Sequence, residues 1–381
     1  MYYFDNAATT VQKPPAVAEA VYEVLHSGLY GNPSRGAHGY SLRAYELVLE
    51  AKEQVKSLFS AGQDYEVAFT HNSTTALNLV LKGLVRPGDH VLTTMWEHNA
   101  VLRPLYQLEK EGATVDFIGS DARTGQLRYE ELEQKLRLET KLVVCNHASN
   151  VTGNVLDISR IRAFCKAHGL FLVIDASQSA GVVPIDVSDG TITAICFTGH
   201  KSLYGPGGTG GVCIRRDAPV RPVLTGGDGV HAFDHDQPGG VPAILEAGTA
   251  NVAGIAGLSA GVSYIREHWQ ELQRKQAVLS DYFLQGLQQI PDLVLYGDVS
   301  GPRVPVFAVN FPGAESTVVS DILWETYGIA TRPGFHCAPL LHESLGTKEQ
   351  GAVRFSLSSF TTRDDLDAAL VALKKISDLQ R

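Results

Sequence analysis

The sequence predicts an α/β fold with a mostly parallel sheet, and two observations support this prediction. Short apolar runs rich in β-branched residues recur through the first two thirds of the chain, and segments with helical periodicity separate them. The runs are continuously apolar, which is typical of strands in a parallel sheet that helices cover on both faces. The length of 381 residues, 44% of them hydrophobic, suits one large domain or two ordinary ones.

Seven of the apolar runs are predicted to be strands of the sheet. In chain order they are YEVAFT (65–70), HVLTT (90–94), ATVDFI (113–118), KLVVCN (141–146), LFLVID (170–175), AICFT (194–198) and GVCIR (211–215). The segment 159–169 illustrates the helices between them, because Ile161, Phe164 and Cys165 recur near helical spacing and Gly169 provides a C-terminal stop.

Toward the C-terminus the pattern changes to that of an α+β domain. A long charged helical segment is followed by the strand-like runs VPVFAVNF (304–311) and VRFSLSS (353–359), and an amphipathic helix ends the chain. We therefore expect a large domain over 16–262 and a smaller one over 263–381. The N-terminal segment, 1–15, is expected to pack with the smaller domain.

Composition excludes several classes of protein. The formal net charge is −9, whereas proteins that bind nucleic acid or membrane surfaces usually carry a basic excess, so neither partner is expected. The five cysteines are widely spaced and include no C-x-x-C pair, so neither a disulfide framework nor a metal site is predicted. The start, MYYFDNAATT, lacks the pattern of a signal peptide, and a reducing, cytoplasmic location is the simplest expectation.

A candidate phosphate site follows the first predicted strand. Ligands of open parallel sheets bind beyond the carboxyl ends of the strands, so polar residues at these points are the candidates. Ser73 and Thr74 open a predicted helix there, and hydroxyls and free backbone N–H groups at a helix N-terminus can bind phosphate. Simple capping of the helix by Asn72 or Ser73 is the alternative.

A second candidate is Asp175, which ends the apolar run LFLVID and precedes Gln178 by three residues. A carboxylate at the end of a buried strand needs a cationic or hydrogen-bonding partner, because an isolated buried charge is costly. A protonated heterocycle would serve. The alternative is a structural aspartate that binds nearby backbone at a turn.

A third candidate is Lys201. Gly199 follows the run AICFT and lets the chain turn, which presents His200 and Lys201 at the sheet edge. A partly desolvated lysine can have a lowered pKa and form a Schiff base with a carbonyl, whereas a solvated surface lysine is the alternative. The glycine-rich stretch 205–210 fits G-x-G-x-x-G but runs directly into a strand, so no dinucleotide site is predicted.

The fourth candidate is Cys337, which lies next to His336 in the Gly/Pro loop TRPGFHCAPL. A thiol in such a loop is a candidate nucleophile, and a chance loop cysteine is the alternative. The other four cysteines lie in apolar runs that are typical of a core.

A phosphate site, an aspartate for a ring nitrogen, a Schiff-base lysine and a separate thiol together indicate a pyridoxal-phosphate (PLP) enzyme that acts on sulfur. With these residues the sequence resembles the cysteine desulfurases of the class-V aminotransferase superfamily. That resemblance implies the fold-type-I PLP-dependent transferase architecture. Its motifs span nearly the whole chain: YFDNAATT (3–10), GNPSRGAH (31–38), FTHNSTTALN (69–78), EHNAVL (97–102), HASNVTGNV (147–155), VIDASQSAG (173–181), FTGHKSLYGP (197–206), EAGTAN (246–251), RPGFHCA (332–338) and VRFSLSSF (353–360).

The resemblance assigns roles around the PLP ring. Lys201 would hold the cofactor as a Schiff base and move protons at the substrate α-carbon, while Asp175 would pair with the pyridine nitrogen. His98 would stack on the ring and act as an acid–base group, with a histidine that only starts a helix as the alternative. Asn150 and Gln178 would lie near the phenolic oxygen.

The resemblance also assigns a phosphate-binding set. Thr74, Thr198 and His200 would hold the phosphate together with backbone groups around Ser73. Thr249 would add a contact from the neighbouring subunit, which implies a homodimer with shared sites.

For the substrate, Arg354 matches the arginine that binds the substrate carboxylate in this family, a role that suits a planar guanidinium. Arg332 is a second basic candidate, with a loop-fixing ion pair as its alternative. Ala8 and His38 are also expected to contribute to substrate binding.

The implied reaction converts L-cysteine to L-alanine and leaves a persulfide on Cys337. A movable loop containing Pro333 and Gly334 would carry this persulfide to an acceptor protein, for iron–sulfur cluster synthesis or another sulfur-containing cofactor. The RPGFHCAP context and the 17-residue step from Cys337 to Arg354 resemble the SufS-like group of these enzymes.

Several alternatives stay open at the level of sequence. A selenocysteine lyase or a cysteine/cystine C–S lyase could use the same scaffold, with Cys337 dispensable for part of the chemistry. A plain transaminase would leave Cys337 without a task. A non-catalytic protein with this fold is disfavoured because Lys201, Asp175 and His98 are all present.

Overall fold

A computed structural model describes residues 1–34, 36–122, 124–227, 229 and 232–379. Arg35, within the motif at 31–38, lies outside the described residues. The helices are α1 (Pro15–His26), α2 (Gly39–Leu58), α3 (Ser73–Leu84), α4 (Asn99–Lys110), α5 (Glu131–Gln134), α6 (Ile158–His168), α7 (Val252–Glu267), α8 (Trp269–Gln288), α9 (Ser316–Tyr327), α10 (Pro339–Ser344) and α11 (Arg363–Leu379). The strands are β1 (Tyr2–Tyr3), β2 (Tyr65–Thr70), β3 (His90–Thr94), β4 (Thr114–Ile118), β5 (Thr140–Asn146), β6 (Phe171–Asp175), β7 (Ala194–Thr198), β8 (Gly210–Arg215), β9 (Val294–Tyr296), β10 (Val306–Asn310), β11 (Ile329–Ala330) and β12 (Val353–Ser356).

The seven predicted strands form one sheet, with the order β2-β8-β7-β6-β5-β3-β4. The predicted α/β class and the mostly parallel seven-stranded sheet are therefore confirmed. Strand β8 runs antiparallel to both of its neighbours, β2 and β7, and the other neighbouring pairs are parallel. Because β2 and β7 are both antiparallel to β8, they run in the same direction. The carboxyl ends of β2, β3, β5, β6 and β7 consequently lie along one edge.

Helices cover both faces of this sheet, as its continuously apolar strands require. On one face, α3 and α4 pack in a core that includes Leu77, Val101 and Val173. On the other face, residues of α6 and α7, among them Ile161 and Leu258, pack against inward side chains of the sheet. Since alternate residues of each strand enter different cores, the sheet is buried on both sides.

The C-terminal part forms a second, smaller unit. Strands β9, β10 and β12 make an antiparallel sheet in the order β12-β10-β9, and α8, α9 and α11 contribute to its core with Phe283, Leu323 and Leu373. The N-terminal strand β1 pairs in parallel with β11, and Asp5 forms a bridge with Ser356. The first residues of the chain therefore pack on this C-terminal unit.

The expected boundary at 262–263 falls inside α7. We propose that the two domains instead divide at His268, where α7 ends and α8 begins. The uncharged run 247–265 forms mainly α7, and among the described residues no helix is both long and apolar enough to cross a bilayer.

Gly153 joins the large sheet to the smaller unit. Its N–H donates to Ser149 O (3.0 Å) and its carbonyl accepts from Val304 N–H (2.8 Å). Its φ of +78° lies in the left-handed region, and a Cβ at this position would overlap the carbonyl oxygen of Val306. Both the backbone conformation and the close approach thus require glycine.

We expect Gly153→Ala to lower the free energy of unfolding by about 3 kcal/mol, because left-handed strain and a backbone clash add together. Gly190→Ala is the matched control, since Gly190 has a φ of +73° but nothing within 4 Å of the added Cβ. Only the strain of about 1 kcal/mol should remain in the control. Urea denaturation measures both losses, and equal losses would contradict the proposed clash.

Candidate active site

A cavity of about 260 Å³ lies at the carboxyl edge of the large sheet, as predicted for an open parallel sheet. The ends of β2, β3, β5, β6 and β7 deliver its polar side chains. The structure brings together twelve of the predicted site residues in its lining: Ala8, Ser73, Thr74, His98, Asn150, Asp175, Gln178, Thr198, His200, Lys201, Arg332 and Arg354.

Lys201 is presented by the turn that follows β7. Glycine is required at position 199 because Thr209 packs closely against it, and an added Cβ would overlap Thr209 Oγ1. The backbone of Gly199 is not left-handed, so its conformation alone does not require glycine. The carbonyl of Lys201 accepts from the Thr10 hydroxyl (3.0 Å), which ties the turn to the N-terminal segment. Burial lowers the pKa of Lys201 from 10.5 to about 8, against the opposing effect of Asp175.

Asp175 ends β6 with 2% of its surface exposed. Its Oδ1 accepts from the N–H (3.0 Å) and the hydroxyl (2.5 Å) of Ser177. Asp175 therefore binds nearby backbone, as its structural alternative predicted, and it also lines the cavity. The carboxylate is held by local donors and also faces the space in which a ligand would lie.

Ser177 was not singled out by the sequence. Its hydroxyl lies 2.6 Å from that of Ser73, at the start of α3. Because the Ser177 proton goes to Asp175, the Ser73 hydroxyl must donate to Ser177. A directed chain thus runs from Ser73 through Ser177 to Asp175. Only the tertiary structure reveals it, since Ser73 and Ser177 are 104 positions apart.

His98 starts a helix and also lines the cavity, while its stacking and acid–base role stays a prediction. Its Nδ1 accepts from the N–H of Ala100 (3.0 Å) and so caps α4, while the ring lines the cavity. Burial, with a further contribution from the nearby cations Lys201, Arg332 and Arg354, lowers the pKa of His98 to about 4, against the opposing effect of Asp175. The ring is therefore neutral at neutral pH, with its proton on Nε2.

At the start of α3 several donors face the cavity. Asn72 caps the helix by accepting from the N–H of Thr75 (2.9 Å), and the next two residues, Ser73 and Thr74, line the cavity. Across from them, Thr198 Oγ1 is buried without a hydrogen-bond partner in the described part of the chain. Burial lowers the pKa of His200 to about 4. This end of the cavity is suited to an anion.

Arg354 lies on β12 with 1% of its surface exposed. One guanidinium nitrogen donates to Asp5 Oδ1 (2.7 Å) and another to the carbonyl of Asn150 (3.1 Å). Its Nε is buried without a partner among the described residues. The ion pair with Asp5, which the sequence did not suggest, stabilises a cation that would otherwise be costly to bury.

Cys337 does not line the cavity but lies beside it. Arg332, which does line it, points a guanidinium N–H at Cys337 Sγ (3.9 Å). The carbonyl of Cys337 accepts from the N–H of Asn99 (2.7 Å), the residue after His98. Cys337 is partly exposed, and the four other cysteines are buried, as their apolar surroundings predicted.

Besides Cys337, two predicted site residues lie outside this cavity. His38 is exposed and caps α2, with its Nδ1 accepting from the N–H of Ser41 (3.3 Å). Within this chain His38 is thus a capping residue, and its expected substrate contact stays a prediction. Thr249 is also exposed and away from the cavity.

Glu97 is a further residue that the sequence did not identify. It is fully buried behind the cavity, where its Oε1 accepts from the Thr94 hydroxyl (2.6 Å) and the N–H of Asn146 (3.0 Å). Burial raises the pKa of Glu97 to about 8. A mostly neutral acid therefore joins the ends of β3 and β5. Its position directly before His98 in the sequence was the available signal.

Comparisons with known proteins agree with this geometry. The family described as Aminotransferase class-V matches residues 2–369. The cysteine desulfurase IscS of Shewanella frigidimarina is 30% identical over 100% of this chain and 93% of its own length. The cysteine desulfurase IscS of Salmonella paratyphi C is 31% identical over 98% and 92%.

Solved structures of cysteine desulfurases are also similar to this chain. The apo cysteine desulfurase of Thermococcus onnurineus has a TM-score of 0.90 at 30% identity and covers 99% of this chain and 94% of that one. The cysteine desulfurase CsdA of Escherichia coli has a TM-score of 0.85 at 29% identity, with coverage of 99% and 94%. The chain therefore belongs to the aminotransferase class-V family and, within it, groups with the cysteine desulfurases.

Proposed function

We propose that the protein is a PLP-dependent cysteine desulfurase that converts L-cysteine to L-alanine and places the sulfur on Cys337 as a persulfide. One observation carries the proposal. A lysine with a lowered pKa, Lys201, shares a cavity with Asp175 and Arg354, and the thiol of Cys337 lies at the rim of that cavity beside Arg332. The similarity to enzymes named cysteine desulfurase favours this reaction over the lyase alternatives.

The cavity residues fit PLP. The unpartnered Thr198 hydroxyl and the start of α3 suit its phosphate, and Asp175 suits a protonated ring nitrogen. Lys201 would bind the cofactor carbonyl, while Asn150 and Gln178 would orient the ring substituents. When bound, PLP would supply an electron sink for negative charge that develops at the substrate α-carbon.

The neutral ring of His98 would stack on the cofactor and exchange a proton through Nε2. With its Nδ1 held by the N–H of Ala100, the imidazole is fixed in one tautomer. Thr74 and His200 would complete the phosphate-binding set.

For the substrate, Arg354 and Arg332 provide two guanidinium groups in the cavity lining. The unpartnered Nε of Arg354 is a donor available for the α-carboxylate of cysteine. Asp5 keeps the other side of this guanidinium fixed, so the arginine is held in place before substrate arrives. Ala8 would border the same space.

In the sulfur step the Cys337 thiolate would attack the substrate sulfur. An S–S bond forms as the substrate Cβ–S bond breaks, and the bonding pair stays with the carbon skeleton, which takes up a proton to become alanine. The guanidinium of Arg332 lies beside the Cys337 sulfur, 3.9 Å from Sγ. The persulfide would then pass to a sulfur-acceptor protein, for iron–sulfur cluster assembly or another sulfur-containing cofactor.

An exposed apolar surface supports the proposed homodimer. On α2, Leu42, Tyr45 and Leu49 share one helix face and are 42–49% exposed, and Tyr22 and Leu25 of α1 are exposed as well. Contiguous apolar surface of this kind is typical of an interface. In such a dimer Thr249 would reach the neighbouring site. The free cysteines suit the cytoplasm.

We expect Cys337→Ala to abolish alanine formation from L-cysteine, because no thiolate remains to take the sulfur. Mass spectrometry after incubation with L-cysteine should show one added sulfur on Cys337 in the wild type and none in the variant. Cys165→Ala removes a buried thiol and is the control. It should keep both alanine formation and the added sulfur on Cys337. Undiminished turnover of L-cysteine by Cys337→Ala would instead indicate a C–S lyase.

The pH dependence of cofactor uptake tests Lys201. Only the neutral amine attacks a carbonyl, so uptake of PLP by the cofactor-free protein should accelerate as the pH rises to about 8 and then level off. The change in absorbance on binding measures the rate. A lysine at its ordinary pKa would give a rate that still rises about tenfold per pH unit above pH 9, and this result would contradict the assigned environment.

The homodimer is tested by charge insertion. Leu42→Glu combined with Tyr45→Glu should convert the dimer to monomers, because two charges would be buried in the interface. Light scattering reports the mass, and desulfurase activity should fall with it if the sites are shared. Leu138→Glu, at a fully exposed loop residue, is the control and should leave the mass unchanged. A wild-type monomer would refute the proposal.

A further inference from the structure

The loop that carries Cys337 contains an unusual backbone feature. His336 and Cys337 have φ values of +50° and +57°, and they are the one adjacent pair of non-glycine residues with positive φ in the part of the chain that the structure describes. Left-handed backbone is unfavourable for such residues and persists where surrounding contacts enforce it. The contacts that hold this pair therefore decide where the thiol lies.

A chain of buried side chains lies directly beneath the pair. His336 is 2% exposed and its Nε2 lies 3.0 Å from the carbonyl of Arg332. Its Nδ1 lies 3.2 Å from Nε2 of His342, which is 1% exposed, and Nδ1 of His342 lies 2.7 Å from the Thr347 hydroxyl. We name these four residues the histidine anchor.

The direction of every hydrogen bond in the histidine anchor follows from its two ends. A carbonyl can only accept, so the His336 proton is on Nε2 and its Nδ1 is an acceptor. His342 must then donate from Nε2, which leaves its Nδ1 to accept from the Thr347 hydroxyl. Burial lowers the pKa of both imidazoles, that of His342 to about 4, so both rings are neutral at neutral pH.

The histidine anchor continues into the cavity through the backbone of His336. The carbonyl of His336 accepts from Asn150 Nδ2 (2.7 Å), and the carbonyl of Asn150 accepts from Arg354 (3.1 Å). On the other side, the carbonyl of Cys337 accepts from Asn99 N–H beside His98. The loop is therefore fixed to the cavity lining from within the protein.

We propose that His342 is a positioning residue for the nucleophile: through His336 it holds the left-handed pair and so fixes the Cys337 thiol at the rim of the cavity. This inference rests on the proposed role of Cys337. Neither His342 nor Thr347 touches the cavity. Their effect on the reaction would pass entirely through the loop.

The test compares His342→Leu with His342→Gln. Leucine removes both hydrogen bonds of the ring, whereas the glutamine amide again offers one donor and one acceptor. In the leucine variant, amide hydrogen exchange of residues 332–338 should become about fivefold faster, the factor for losing the one hydrogen bond that reaches the loop through His336, while exchange outside residues 332–347 stays unchanged. The turnover number should fall by a similar factor with KM unchanged, because Arg354, which lies on β12 and pairs with Asp5, stays in place. His342→Gln should restore both the slow exchange of residues 332–338 and the turnover number.

His168→Leu removes an exposed imidazole on α6 and is the control, with no expected change in either measurement. Unchanged exchange at 332–338 in His342→Leu would overturn the proposal, as would a uniform increase over the whole chain or equal defects in the two variants at His342. The exchange measurement needs neither cofactor nor substrate. A failure of the proposed function, seen as activity that survives Cys337→Ala, is therefore distinguishable from a failure of the histidine anchor.

Discussion

Desolvation of charged and titratable side chains is the constraint on which the cavity depends. Five strand ends at one edge of the large sheet bring an ammonium, a carboxylate and an imidazole out of bulk water, and β12 of the smaller unit adds the guanidinium of Arg354. Each group responds in one of two ways. Lys201 and His98 have lowered pKa values, whereas Asp175 and Arg354 acquire partners in Ser177 and Asp5. Within one small cavity, Lys201 and His98 are thus the groups that can exchange protons, and Asp175 and Arg354 are the groups that keep their charge.

The N-terminal segment and the C-terminal unit close this edge. Thr10 binds the turn that presents Lys201, and Asp5 binds Arg354 from β12. Residues of the first ten positions therefore contact the large sheet and the smaller unit at once. The cavity is a property of the assembled chain, because neither part alone supplies both the lysine and the arginine.

The position of the Cys337 thiol depends on the backbone of its loop and not on desolvation. Cys337 is placed by backbone geometry, and its loop is held through buried neutral imidazoles and the carbonyl contacts of His336 and Cys337 itself. The sequence predicted a movable loop around Gly334. That movement stays a prediction; Gly334 has a left-handed backbone two positions before His336.

Local pattern determined much of this protein. Continuous apolar runs located all seven strands of the large sheet, and the residues that follow them identified Lys201, Asp175 and the start of α3, because strand ends meet at one edge whatever the rest of the chain does. Local pattern did not reveal the ion pair of Asp5 with Arg354, the chain from Ser73 to Ser177, or the role of His342. It also did not reveal that His38 caps α2. Asp5 and Arg354 are 349 positions apart, and no periodicity relates residues at such a separation. Which buried groups become partners depends on how the two units pack, and only the tertiary structure decided that.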